Sequence, residues 1–160
     1  GHLVLSTLHT NDAASTIARL MDMGIEPYLI SSALIGVVAQ RLVRKVCSCH
    51  QEYQPSAEEL ELLNLSSSKD EVFAKAVGCE KCNGSGYSGR EGIFEIMPVS
   101  ESIQQMIQER PNLNQIKTEL VKLGVPSLAH AGIQKVRKRK TTLEELLRVV
   151  SITKQGPEQK

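Results

Sequence analysis

Apolar residues occupy the first positions of the chain almost without a break. Leu3–Leu8 is apolar on both faces apart from Ser6 and Thr7. A run of this kind is typical of a central strand that helices cover on both sides. We therefore predict a buried strand here, whose carboxyl end leads into the polar residues 9–11.

The spacing of apolar residues predicts two helices after this strand. The first is expected over Ala13–Met23, with Asn11 or Asp12 as its N-cap and Gly24 as its stop. The second is expected over Tyr28–Val43, because its long apolar stretch suggests a helix packed inside a larger body. This part of the chain therefore combines one strand with two helices.

The rest of the chain alternates polar stretches with regular elements. The predicted elements are a short helix near Ala57–Leu65, a strand over Gly92–Val99, and helices over Ser100–Arg110, Leu113–Leu123, Leu128–Lys138 and Thr142–Ser151. Ser66–Asp70 is predicted to be an exposed loop, and residues 153–160 a flexible tail. The pattern as a whole predicts a mixed α/β protein with a helical end.

Composition places the chain among ordinary globular proteins. Of its 160 residues, 41% are hydrophobic and 23% charged, and the formal net charge is +1. No apolar run reaches the roughly 18 residues that span a membrane, and no signal peptide is recognised, so we expect a soluble, cytoplasmic protein. No nucleic-acid partner is expected, because no aromatic residues interleave with the basic run Lys138–Lys140.

Four cysteines in two close pairs indicate a metal site in a reducing compartment. Cys79 and Cys82 have the C-x-x-C spacing that lets two thiolates converge on one zinc ion. In the first pair, Cys47 and His50 have the same gap, whereas Cys49 is one residue short of it. We predict a closed structural zinc site of Cys47, His50, Cys79 and Cys82, with a four-cysteine site using Cys49 in place of His50 as the alternative.

The stretch Gly84–Gly89 matches G-x-G-x-x-G, the dinucleotide-binding fingerprint. That fingerprint needs a strand before it and a helix after it. Here a cysteine pair precedes the glycines and the strand Gly92–Val99 is predicted after them. We interpret the segment as a turn in which glycines supply positive φ angles.

Several ordered blocks resemble the secretion ATPases, the hexameric motors of type II secretion and type IV pilus assembly. The histidine box of that family is similar to the start of this chain, from Gly1 through His9, Thr10 and Asn11. Further similar blocks are Asp22–Pro27, Gln40–Arg44, Gly92–Glu95, Pro126–Leu128 and Thr141–Val149. The resemblance extends over nearly all of residues 1–151.

The resemblance implies a fold and a division of the chain. The fold is expected to be α/β, the distal edge of a RecA-like P-loop NTPase core with a zinc-binding excursion, followed by an all-helical C-terminal subdomain. The implied boundaries are 1–46 for the core part, 47–90 for the zinc-binding part, 91–152 for the C-terminal strand and helices, and 153–160 for the tail.

The resemblance also implies roles for the histidine box. His9 would face the γ-phosphate of ATP as a catalytic residue. Thr10 and Asn11 would contribute to nucleotide binding, position water, or simply cap the following helix. The phosphate-binding loop G-x-x-x-x-G-K-[ST] does not occur in these 160 residues. We therefore expect that ATP and Mg²⁺ belong to the full-length motor, and that this chain alone neither binds ATP well nor hydrolyses it.

Partners and departures follow from the same resemblance. The implied partners are further copies of the motor, as a hexamer, and inner-membrane platform and cytoplasmic-domain proteins of the secretion or pilus machine.

His50 stands where the family has the second cysteine of its first C-x-x-C pair, and Arg139 stands where it usually has a helix-closing glycine. A non-glycine residue in that left-handed geometry costs roughly 1 kcal/mol. The alternative function is a non-enzymatic zinc-binding interaction module.

Overall fold

A computed structural model describes residues 2–65 and 71–152. These residues form two compact units, each built from two stretches of sequence. The first unit contains residues 2–40 and 94–127, and the second contains the described residues of 41–93 and 128–152. The predicted division into consecutive segments at residues 46 and 90 stays a prediction.

The described elements make a mixed α/β fold. In chain order they are α1 Ala13–Asp22, α2 Pro27–Ala33, β1 Gly36–Val46, β2 Gln51–Tyr53, α3 Ala57–Leu62, β3 Phe73–Lys75, a single 3-10 turn Glu80–Cys82, β4 Tyr87–Pro98, α4 Glu101–Gln108, α5 Leu113–Lys122, α6 Leu128–Arg137 and α7 Leu143–Val149. Strand β1 pairs with β4, and β2 pairs antiparallel with β3. The boundary between the two units falls inside β1 and inside β4.

The first unit is built around helices that pack in pairs. Helix α1 packs on α5 and α2 packs on α4. Of the two predicted caps, Asn11 and Asp12, it is Asp12 that caps α1, because its carboxylate accepts a hydrogen bond of 2.8 Å from the Ser15 N–H. Gly24 ends the helix region at φ +83°. The buried apolar side chains of this unit include Ala13, Ala14, Ile17, Ile30, Met97, Ile103, Ile107, Ile116 and Leu120.

The second unit combines the short strands with the last two helices. Helix α6 packs against both α7 and β3. Gly132 of α6 lies so close to Leu146 of α7 that a Cβ at this position would be 2.2 Å from the Leu146 Cδ1 atom. The buried apolar side chains include Val43, Leu60, Leu63, Phe73, Ile93, Val136, Leu143 and Leu146.

The predicted buried strand over Leu3–Leu8 is wrong for this structure. The segment is not a strand, and Leu3, Val4 and Leu5 are exposed, Leu5 to 89%. A strand needs neighbours that pair with its N–H and C=O groups. In the part of the chain that the structure describes, no strand pairs with this segment.

The predicted helix over Tyr28–Val43 is also wrong beyond its first two turns. Helix α2 ends at Ala33, and β1 begins at Gly36. Burial then alternates, with Ala39 and Val43 inside and Val38 and Leu42 exposed. A strand is favoured over a helix here because the β-branched residues that follow α2 favour extended backbone. In addition, one face of β1 is buried.

The remaining element predictions are confirmed within a few residues. The short helix after Ser56 and the four C-terminal helices are all present, and the strand predicted over Gly92–Val99 begins earlier, at Tyr87. The loop Ser66–Asp70 and the tail 153–160 lie outside the described residues. Among the described helices, none combines the length and apolar character that crossing a membrane requires.

Candidate metal centre and histidine segment

The four cysteines converge at one place in the second unit. Their sulfur atoms all lie within 4.8 Å of one another. The Sγ–Sγ distance is 4.0 Å for Cys47 and Cys79, 3.9 Å for Cys49 and Cys82, and 3.8 Å for Cys79 and Cys82. All four are free thiols, since a disulfide would bring two sulfurs to about 2.05 Å.

The backbone brings the two cysteine pairs together. Cys47 directly follows β1, and its N–H donates to the Gly86 carbonyl at 2.9 Å. Gly86 lies just before β4, so the end of one strand is bonded to the start of its partner. Gly78 lies at φ +106°, and a Cβ there would stand 2.4 Å from the Gly84 carbonyl oxygen, so only glycine fits without a shift of the backbone.

Backbone N–H groups point at the sulfur atoms. Burial alone would raise the pKa of the Cys82 thiol, but the N–H groups of Cys79 (3.1 Å) and Gly86 (3.3 Å) outweigh it and lower that pKa to about 6. The N–H of Cys49 is the largest cause that lowers the pKa of Cys47. Burial raises the pKa of the Cys49 thiol to about 12. Donors of this kind stabilise thiolates, the form that binds metal.

The donor set can hold a metal ion. A zinc ion bound tetrahedrally by four thiolates at about 2.3 Å requires sulfur atoms about 3.8 Å apart. The shortest Sγ–Sγ distances in the cluster are 3.8–4.0 Å. The four cysteines therefore match a structural zinc site in both ligand chemistry and spacing.

His50 lies outside the group of converging ligand atoms. Its Nδ1 atom is 2.9 Å from the Cys47 carbonyl oxygen, and its backbone N–H donates to the same oxygen at 3.1 Å. Those contacts close a turn over Cys47–His50 and place Cys49 with the other sulfurs. The structure thus brings together the alternative set of the sequence analysis, Cys47, Cys49, Cys79 and Cys82, and does not bring His50 into it.

The first half of the glycine segment, Gly84–Gly86, is a turn, as predicted, whereas Tyr87–Gly89 already belongs to β4. Gly84, Gly86 and Gly89 all have φ +75°, in the region that side chains disfavour. The segment follows the 3-10 turn and leads directly into β4. The structural context of a dinucleotide fingerprint, a strand followed by a helix, is absent at these residues.

The histidine segment, residues 9–11, directly precedes the capped end of α1 in the first unit. His9 and Asn11 are exposed, and the Thr10 hydroxyl is 3.0 Å from the Thr16 hydroxyl. The Asp12 cap also pairs with Lys117 of α5 at 2.7 Å. Burial would raise the pKa of Asp12, but the hydrogen bonds from Lys117 and Ser15 outweigh it and lower that pKa.

No role in a site is predicted from the sequence for two glutamates that the structure buries. Glu95 on β4 is 6% exposed and accepts a hydrogen bond of 2.9 Å from the Ala13 N–H. Glu145 on α7 is 1% exposed and binds both Arg44 and Arg148. The burial of Glu95 could have been predicted from the alternation of inward and outward side chains along β4, because Glu95 lies midway between the inward-facing Ile93 and Met97.

The structure defines a mixed α/β protein with a four-cysteine centre and a helix capped after a histidine segment. Comparison with known proteins gives the family. The chain belongs to the family described as Type II/IV secretion system protein, whose model matches residues 1–148.

Individual relatives carry names from the same machines. The chain is 44% identical over 150 residues to the Type II secretion system ATPase E of Vibrio cholerae, and 42% identical over 161 residues to the Type IV pilus assembly ATPase TfpB of Acinetobacter baylyi. It is 45% identical over 150 residues to the Type IV pilus assembly ATPase PilB of Thermus thermophilus. These alignments cover 93%, 96% and 92% of this chain but 30%, 27% and 17% of the relatives. The chain therefore spans less than a third of the length of these proteins.

Proposed function

We propose that this chain is the distal part of a motor ATPase that powers type II secretion or type IV pilus assembly. The observation that carries the proposal is the continuous family match over residues 1–148, together with relatives named as ATPases of those two machines. In this proposal the first unit contributes to a RecA-like core, and ATP and Mg²⁺ are bound by the assembled full-length motor.

The histidine segment supplies the nucleotide-facing part of the proposal. His9 is exposed just ahead of α1, where a side chain is free to donate a hydrogen bond to a phosphate oxygen. Thr10 and Asn11 precede the same helix N-terminus, whose dipole favours negatively charged ligands. We assign His9 the role of a catalytic residue, and Thr10 and Asn11 that of nucleotide contacts.

The cysteine cluster supplies a structural zinc site. Cys47, Cys49, Cys79 and Cys82 would hold the ion, and the closed four-sulfur set leaves no position for substrate. Bound zinc would link the segment after β1 to the segment before β4. Structural zinc contributes on the order of 10–16 kcal/mol of binding free energy in small peptides, enough to decide whether such a segment folds.

The proposal includes a cellular setting for the motor, which is what the resemblance to the secretion ATPases implies. The motor would assemble as a hexamer, act in the cytoplasm, and associate with the inner membrane through platform and cytoplasmic-domain proteins of the secretion or pilus machine. The four free cysteines are consistent with a reducing compartment.

Native mass spectrometry with zinc quantitation tests the metal part. The expected result is one zinc ion per chain. Removal of the zinc by a chelator is expected to unfold the chain, and circular dichroism measures this loss of structure. A chain that stays folded and binds no zinc would remove the structural zinc site and leave the family assignment in place.

ATP turnover tests the motor part. We expect no ATP turnover above background for this chain alone. The full-length motor is expected to turn over ATP, and its rate should fall when His9 is changed to Ala. His130→Ala is a matched control, because His130 is an exposed histidine of α6 in the second unit. Equal turnover in the His9→Ala motor and the wild type would contradict the role of His9. Zinc binding by a full-length protein with no ATP turnover would favour the interaction-module alternative.

A further inference from the structure

We propose that Glu95 is a positioning residue for the histidine segment, and this inference rests on the proposed function. Glu95 lies on β4, and its Oε1 atom accepts a hydrogen bond of 2.9 Å from the N–H of Ala13, the first residue of α1. The contact joins positions 82 residues apart in the sequence. It ties the helix that follows the histidine segment directly to a strand.

The chemistry of the contact matches the needs of a helix N-terminus. The first N–H groups of a helix have no partner inside it. In α1, Asp12 accepts from Ser15 and Glu95 accepts from Ala13, so two carboxylates serve separate donors of the first turn. Negative charge at this end is favoured by the helix dipole.

Burial makes the Glu95 contact hard to replace. Ala13 is fully buried and Glu95 is 6% exposed, so water has little access to the N–H if the carboxylate is removed. By contrast, the Asp12–Lys117 ion pair on the same helix end is partly solvated, with the Lys117 side chain 47% exposed. Screening by solvent and salt weakens a pair of that kind.

The position of the histidine segment depends on where α1 begins. Only Asp12 separates Asn11 from Ala13, and the Thr10 hydroxyl is hydrogen-bonded to Thr16 in the second turn of α1. A shift of the helix start relative to β4 would therefore move His9, Thr10 and Asn11 with it. Displacement of a reacting group by about 1 Å can reduce turnover by about 100-fold.

Amide hydrogen exchange in this chain tests the contact itself. Glu95→Ala is expected to remove protection at the Ala13 N–H, whereas Glu95→Gln keeps an oxygen acceptor and is expected to retain most of it. Glu101→Gln is the matched control, because Glu101 is exposed at the start of α4 in the same unit. Unchanged Ala13 protection in Glu95→Ala would overturn the proposal.

Turnover by the full-length motor tests the functional consequence. Glu95→Ala is expected to lower kcat on the order of 10- to 100-fold, with partial recovery in Glu95→Gln and little change in Lys117→Met. In a His9→Ala background the same Glu95→Ala change is expected to cost much less, because both act on one step. Equal losses in the two backgrounds would assign Glu95 a general structural role and overturn the proposal.

The two proposals fail in different ways. A motor whose kcat is unaffected by His9→Ala contradicts the proposed role of His9, whatever Glu95 does. A motor that responds to His9→Ala but not to Glu95→Ala leaves the proposed function intact and overturns the positioning role. Thermal unfolding of each variant excludes loss of folding as the cause.

Discussion

Arg44 directs three hydrogen bonds at the single carboxylate of Glu145. Its backbone N–H donates at 3.0 Å, its Nε at 2.8 Å and one terminal nitrogen at 2.7 Å. Arg148 donates two more to the same carboxylate, at 2.9 and 2.7 Å. The Arg44 guanidinium also lies 4.0 Å from the ring centroid of Tyr87. Glu145 thus connects β1 to α7 within the second unit, and Arg44 extends the contact to Tyr87 of β4.

Glu145→Gln is expected to lower the free energy of unfolding at neutral pH by about 2 kcal/mol, because charge-assisted hydrogen bonds are lost. Burial alone would raise the pKa of Glu145, but Arg148 and Arg44 outweigh it and lower that pKa to about 2, from 4.5. A depressed pKa stabilises the folded chain above about pH 4.5, and this contribution disappears as the pH falls towards 2.

Denaturant unfolding from pH 7 to pH 2 measures this effect. The difference between wild type and Glu145→Gln should be constant down to about pH 4.5 and shrink below it. Glu144→Gln changes an exposed neighbour on the same helix and serves as the control. A difference that does not vary with pH would show that the carboxylate charge is not the source of stability.

Cys49→Ser is expected to reduce zinc affinity far more than His50→Ala. The sulfur of Cys49 belongs to the cluster, whereas the His50 ring is bonded to a backbone carbonyl. Competition with a chromophoric chelator measures both affinities. Stronger loss in His50→Ala than in Cys49→Ser would restore the Cys₃His set predicted from spacing.

Gly78→Ala is expected to weaken zinc binding and folding of the second unit. Its Cβ would meet the Gly84 carbonyl oxygen at 2.4 Å, and its φ is +106°. Gly84→Ala provides the matched control, because Gly84 also has positive φ but has no atom within 4 Å of its added Cβ. Backbone strain alone costs about 1 kcal/mol in both. Chelator competition should therefore show the larger loss in Gly78→Ala, and equal losses would argue against the steric clash.

Arg139→Gly is expected to raise the free energy of unfolding by up to about 1 kcal/mol. Arg139 has φ +54°, which agrees with the helix-closing geometry that the family resemblance implies for this position. Its ion pair with Glu52 joins two half-exposed side chains and contributes little. Glu52→Gln removes that pair without changing the backbone at Arg139. Urea unfolding of both variants therefore separates the loss of the ion pair from the relief of backbone strain. Destabilisation by Arg139→Gly would show that the ion pair outweighs the backbone strain.

Local signals in the sequence were sufficient where a few adjacent residues determine the structure. Asp12 and Gly24 mark the two ends of α1, because a cap and a positive φ are properties of single positions. The apolar pattern predicts a helix where β1 lies, because an apolar run fits either period until its partner strand is known. Long-range pairing is what the sequence alone does not reveal.

The candidate site shows the same limit. Cysteine number and pairing identify the metal centre, but spacing alone favours His50 over Cys49. Spacing does not show that the His50 ring contacts the Cys47 carbonyl while the Cys49 sulfur lies next to that of Cys82. Glu95 and Glu145 appear in the sequence as ordinary charged residues. Their burial follows from partners 82 and 101 positions away.

The convergence of Cys49 and Cys79 turns the chain between them into a closed loop with fixed ends. Once the ends of a loop are held together, its length has little effect on stability, since doubling it costs only about 0.6 kcal/mol. The loop nevertheless contains β2, α3 and β3, whose buried side chains include Leu60, Leu63 and Phe73 and belong to the core of the second unit. A label or an additional peptide should therefore be tolerated in the connection between β2 and α3 more readily than inside these three elements.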